Sequence, residues 1–389
     1  MTANESEKIF TKSFFLIFGA LLFTALVMYA LMSTVTEYAT AMGSTATIAG
    51  LVSGIYVFGG LCSRVYSGNA LERIGWRKIA LVFMSIHFLA CLLYFVVDNV
   101  TLLIIVRFVH GIGFGASANA IVTVASAILP KKRFSEGFGY FMLGTTIAVG
   151  LGPFIGGFLY DSVGSHGCFI AAGVFSALAL IFMCLIDIDK YDTKEEIVDD
   201  RQYSGIEKVI EFGAVPVSFF TALTSLGYVS ILSFYRLYAV EVNLTAVFSW
   251  FFIIYSICLV LTRPLAGRIQ DNGGDKIVCV VGIVAQSIGL MLIAIIPSNI
   301  TVIICAICAA LGFGTLNSAC TAIITRNTPE HRRSYALSTF FIFCDATIGF
   351  GPALLGLFVS ASTGYAPMYI ISSIITLLAL PICLYSLKG

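Results

Sequence analysis

Two stretches of this chain set ionisable side chains among residues that are almost all apolar. Arg107-Phe108-Val109-His110-Gly111-Ile112-Gly113-Phe114-Gly115 lies inside one hydrophobic segment, and Asp345 lies in another beside Phe340, Phe341, Phe343 and Thr347. If these segments cross a bilayer, an arginine at mid-span costs about 2.5–3.5 kcal/mol on insertion scales and is kept where it faces a polar cavity. His110 stands three residues after Arg107, so on a helix both share a face, and an imidazole titrates near neutral pH. The chemistry these groups can do is to bind and release a proton, or to hold a charged solute. Asp345 is the strongest candidate for a proton or cation site. Snorkelling or a backbone hydrogen bond is the alternative for Arg107, a structural ion pair for Asp345, and plain packing for His110. Glu37 and Arg236 stand near the ends of the first and seventh apolar segments, in equivalent surroundings (Tyr38-Ala39 and Tyr238-Ala239), and are expected either to pair as an outer gate or to act as separate interfacial charges.

Other chemistries find little support. Nucleophile, base and metal-ligand sets are not visible on any one segment, so an enzyme is not expected and no metal site is assigned. Eleven cysteines are scattered, mostly within apolar segments, and the Cys305/Cys308 pair has no second ligand pair nearby. A net charge of +1 carries no nucleic-acid footprint.

The elements that must position Arg107 and Asp345 follow from composition. Of 389 residues, 59% are hydrophobic and 11% charged, and the mean hydropathy is +0.98, too apolar for a water-soluble surface. Runs long enough to span as helices fall at 13–36, 46–66, 79–97, 101–128, 137–160, 167–187, 213–240, 246–266, 277–297, 300–324, 335–360 and 365–387. The reading is an all-α integral membrane protein with twelve spans in two six-helix halves: 1–187, a polar linker over 188–211, and 212–389. Lys and Arg crowd the loops after even-numbered spans (Arg73, Arg77, Lys78, Lys131, Lys132, Arg133, Arg268, Lys276, Arg332, Arg333), while the opposite loops hold none. The positive-inside bias therefore expects both termini in the cytoplasm. The first run is of full spanning length and reads as a helix, not as a cleaved signal.

The two halves repeat one another. Arg64, Gly68, Glu72 and Gly75 return as Arg263, Gly267, Asp271 and Gly274, and Pro130, Gly152 and Pro153 return as Pro329, Gly351 and Pro352, always 199 residues on. Such duplication in an apolar chain points to a transporter built of two like halves. The segment Gly68-Asn69-Ala70-Leu71-Glu72-Arg73-Ile74-Gly75-Trp76-Arg77 resembles the loop signature of the major facilitator superfamily, with Glu72 in place of the more usual Asp, and Asn272 replaces the Arg of its second copy. The Arg107-x-x-x-Gly-x-Gly pattern resembles the fourth-helix motif of proton-coupled members. Gly152-Pro153-Phe154-Ile155-Gly156-Gly157 resembles the fifth-helix motif of antiporters, echoed by Gly351-Pro352.

This resemblance implies alternating access around a midplane cavity, with a proton gradient as the energy source and no cofactor. It implies a conformational latch of Gly68, Glu72, Arg73, Gly75, Arg77, Gly267, Asp271 and Gly274. It also implies helix hinges at Gly152, Pro153, Gly156, Gly157, Gly351 and Pro352. The chain is most similar to twelve-helix drug:proton antiporters and metallophore exporters. The expected function is therefore proton-coupled export of a small organic solute by a monomer in the lipid of the plasma membrane. Import of a small metabolite, or a receptor or lipid translocase without ion coupling, remains the other reading.

Overall fold

The computed structural model describes residues 8–130, 134–191, 210–329, 333–360 and 362–387, and leaves out the side chains of 65–73, 134–136, 139, 271, 333 and 334. Twelve helical segments among these residues are long and apolar enough to cross a membrane. In order they are α1 (Lys12–Ala41), α2 (Ala46–Ile74), α3 (Trp76–Leu93), α4 (Val100–Ile128), α5 (Phe134–Val163), α6 (Ser165–Cys184), α7 (Val215–Glu241), α8 (Thr245–Asp271), α9 (Asp275–Ile295), then α10 (Asn299–Ala309) and α11 (Thr315–Asn327) as two parts of one span, α12 (Arg333–Gly356) and α13 (Ala366–Ser386). Helices are the solution because lipid offers no partner to backbone N–H and C=O groups, and a helix satisfies them within itself.

Local signals fix where the helices begin. Thr11 accepts the Phe14 N–H at 3.2 Å and Asn99 accepts that of Leu102 at 2.8 Å. Ser298 and Thr301 form a reciprocal capping box at the start of α10. Gly75, at φ +105, makes the one-residue turn from α2 to α3 that a side chain would strain.

The chain divides into two compact units, Met1–Met42 with Ile55–Glu196, and Gly43–Gly54 with Ile197–Gly389. In the first, α1 packs on α5 and α6, and α3 on α4 and α6. The core toward one end gathers Phe14, Ile17, Met84, Ile121, Phe141 and Met183. The second unit repeats the scheme: α7 packs on α12 and α13, and α9 on α10 and α13. The first turns of α2 are counted with the second unit because Gly50 and Gly54 lie directly against the backbone at Pro352 and Gly349 of α12. Glycines seat α5 and α12 within their own units in the same way: a side chain on Gly156 would fall 2.6 Å from the Ala30 carbonyl, and one on Gly351 2.8 Å from Leu226.

One span is not continuous. Between α10 and α11 the backbone passes through a π-helical turn, Ala310–Gly314, in which Gly312 takes φ −73 and ψ −116. Such a turn loosens the regular ladder of hydrogen bonds and bends the helix.

Candidate functional site

In the first unit Arg107, Tyr56, Tyr94, Cys91, His110 and His87 form a cluster buried from every side. Helix α4 supplies Arg107 and His110 from one face, α2 supplies Tyr56, and α3 with the turn after it supplies His87, Cys91 and Tyr94. The guanidinium of Arg107 lies 4.4 Å above the Tyr56 ring centre and its Nη1 is 3.5 Å from the Tyr94 hydroxyl. Stacking over a ring recovers part of the cost of burying a cation. The same hydroxyl is 3.0 Å from Nδ1 of His110, and Nε2 of His110 is 3.4 Å from Cys91 Sγ. Arg107 and His110, three residues apart on α4, are thus joined through Tyr94.

His87 has no sequence motif around it, and sequence reasoning passes over it. Its ring centre is 4.5 Å from that of His110, with the planes 35° apart. Neither of its ring nitrogens makes a hydrogen bond of ordinary geometry, although the side chain is wholly buried. The Tyr56 hydroxyl is likewise without a partner. The available signal was the repeat itself: 199 residues on from His87 stands Gln286, a second polar residue in the third span of a half.

In the second unit Gln286 is buried, and its nitrogen donates to the Thr224 carbonyl at 2.8 Å while its oxygen accepts the Phe313 N–H at 2.6 Å. Thr315 Oγ1 donates to the Ala310 carbonyl at 2.8 Å. These side chains satisfy the groups of the π-helical turn. Tyr228 stacks on Phe313 with ring centres 4.3 Å apart, within a run of aromatics that includes Tyr255, Phe252 and Tyr235.

Asp345 is half-buried at mid-length of α12, one residue after the buried Cys344. Glu37 on α1 and Arg236 on α7 are half-buried and belong to different units. Of the expected latch, Gly68, Glu72, Arg73 and Asp271 lie outside the described side chains. Arg77 donates to Asp189 at 3.0 Å across the start of α3 and the short turn Ile188–Lys190. Gly274 makes a tight turn against Ile269, whereas Gly267 faces open space. The expected hinge residues Gly152, Pro153, Gly156 and Gly157 lie inside α5, and Gly351 and Pro352 inside α12. Among the described residues no group of three or more His, Cys, Asp or Glu is placed to hold a metal ion.

With this geometry in hand, comparison with known proteins is direct. The Major Facilitator Superfamily model matches residues 17–247 and 215–388. The chain is 26% identical over 357 residues to an MFS-type transporter of Methanocaldococcus jannaschii, covering 87% of this chain and 89% of the relative. It is 24% identical to the multi-drug resistance efflux pump PmrA of Streptococcus pneumoniae, over 75% of this chain and 73% of the pump. It is 23% identical to the class H tetracycline resistance protein of Pasteurella multocida, over 83% and 82%. Among solved structures, a POT family transporter in complex with a thioalcohol-conjugated peptide superposes with a TM-score of 0.80 at 14% identity, over 97% of this chain and 96% of that one. The nucleoside transporter NupG superposes with a TM-score of 0.72 at 12% identity, over 98% of this chain and 100% of that one.

Proposed function

Since the chain belongs to the major facilitator superfamily, we propose that it exports a small organic solute, drug-like or metabolite, in exchange for protons. That it is a multi-pass membrane transporter and not an enzyme is the coarser statement, and it stands on the family match and the twelve apolar helices. The finer reading is carried by Arg107, a guanidinium wholly buried in the first unit against Tyr56 and Tyr94 and linked through Tyr94 to His110. A cation kept at that cost marks a solute or ion pathway. Asp345, half-buried among the aromatics of α12, takes the proton, and Arg107 anchors or relays. The relatives named as efflux pumps or resistance proteins support export as the direction. In this reading the protein works as a monomer in the lipid of the plasma membrane with both termini in the cytoplasm, and the proton gradient is its only energy source.

The test is flux in inside-out vesicles with an acidified lumen, using cationic dyes, organic acids and metallophore-like solutes. Accumulation above that of vesicles lacking the protein, abolished by a protonophore, supports the proposal. Accumulation only in right-side-out vesicles under an inward proton gradient would make the protein an importer.

A further inference from the structure

We infer that α4 has a second form, broken at Gly113 as its counterpart is broken at Gly312, and that His87 is the residue that holds it. Tyr56, His87, Gly113, Phe114 and Gly115 in the first unit stand 199 residues before Tyr255, Gln286, Gly312, Phe313 and Gly314 in the second. The residue pairs in contact are repeated too, Gly113 lying against the backbone and Cβ of His87 and Gly312 against the side chain of Gln286. A Cβ on Gly113 would fall 2.6 Å from the His87 backbone nitrogen and 3.1 Å from its Cβ, and a Cβ on Gly312 would fall 2.5 Å from the Gln286 Cβ. In each unit the third span lays one polar residue against the glycine that precedes a Phe-Gly pair.

The two units differ in what that polar residue does. Gln286 uses both its groups, one on the Thr224 carbonyl and one on the Phe313 N–H released by the π-helical turn. His87 faces an α4 that is continuous from Val100 to Ile128, and its ring nitrogens make no hydrogen bond of ordinary geometry. A buried polar group left so is uncommon and costly, and calls for an explanation. Breaking α4 at Gly113 separates the His110 carbonyl from the Phe114 N–H, one acceptor and one donor. A neutral imidazole carries one donor and one acceptor, and the His87 ring centre lies 4.5 Å from that of His110, the residue whose carbonyl the break would free. The orphaned side chain thus matches the pair of groups that the break would release. Gly111, Gly113 and Gly115 leave the backbone free to make the turn.

His87 is on this account a positioning residue. It touches no solute, but it sets which of two forms α4 adopts, and α4 carries Arg107 and His110. Its consequence for transport rests on the proposed function, whereas the two forms themselves do not.

Labelling glycine with 13C at the carbonyl and phenylalanine with 15N isolates the Gly–Phe peptide bonds, of which the chain has five: 113–114, 137–138, 157–158, 312–313 and 349–350. Solid-state NMR in bilayers should then show two signals for 113–114 in the wild type, one helical and one near that of 312–313. His87→Gln should move population into the second signal, and His87→Leu should remove it. An unshifted 312–313 signal in each variant shows that the fold is kept. A single helical 113–114 signal in both wild type and His87→Gln would overturn the inference, as would a second signal that survives His87→Leu. If the second form exists and vesicle flux shows no proton dependence, the proposed coupling fails and the two-form helix stands. If flux is coupled, His87→Gln should support it and His87→Leu should not.

Discussion

The side-chain oxygen of Gln286 accepts the backbone N–H of Phe313 at 2.6 Å, so a residue of α9 completes the hydrogen bonding of a neighbouring span that cannot complete its own. Gln286→Leu leaves that N–H buried and unpaired, at a cost of about 1–3 kcal/mol. The melting temperature of the purified protein in detergent should fall by several degrees in a scanning-fluorimetry measurement. His87→Leu, which removes a side chain that satisfies nothing in the continuous form of α4, should leave it unchanged or raise it.

Arg107→Lys should abolish solute flux without unfolding the protein. The guanidinium is held by its flat face over Tyr56 and by Nη1 toward Tyr94. An ammonium is a point charge that reproduces neither the stacked plane nor the fork of donors. Vesicle flux should drop to background while the melting temperature stays within a few degrees of wild type.

Asp345→Asn should uncouple flux from the proton gradient. The amide has the shape of the protonated acid and cannot give the proton up. Accumulation driven by an acid lumen should fall to the level of vesicles lacking the protein, while exchange of solute down its own gradient persists. Retained proton-driven accumulation would place the coupling elsewhere.

The Arg77–Asp189 pair should matter little to stability. Its side chains are 43% and 64% exposed, and pairs as open to water as this contribute a few tenths of a kcal/mol. Arg77→Ala should leave the melting temperature within about one degree of wild type. A loss of flux in that variant with stability intact would favour the latch role that the loop signature implies.

Sidedness can be checked with trypsin. The stretches 42–45, 97–99, 242–244, 296–298 and 357–365 between helices contain no Lys or Arg, whereas 188–211 contains Lys190, Lys194, Arg201 and Lys208. Right-side-out spheroplasts should protect the chain, and inverted vesicles should be cut in the linker and in the other basic loops, yielding fragments of half length or less. Cleavage in spheroplasts would reverse the orientation.

The spans and their number were legible because lipid demands unbroken apolar helices. The run 101–128 became Val100–Ile128, and 46–66 grew to Ala46–Ile74 because the helix carries its polar loop signature past the apolar part. Arg107 and His110 were legible because charge inside a span is rare. The break beside Gly312 was not. Gly111-Ile112-Gly113-Phe114-Gly115 and Ala310-Leu311-Gly312-Phe313-Gly314 read nearly alike, and what differs is the residue more than 25 positions upstream that packs on each, His87 in one half and Gln286 in the other. Only the contact between helices reveals what those two residues do. The same holds for Tyr94, which joins Arg107 to His110 from a short turn with no motif of its own.

The interrupted span also makes the halves unequal as mechanical objects. In its continuous form α4 runs 29 residues without a break, so a load on it is spread along its length. α10 and α11 are joined by the π-helical turn Ala310–Gly314, so a load on that span concentrates at one joint. The same load is thus taken up at one point in the second half and along a length in the first.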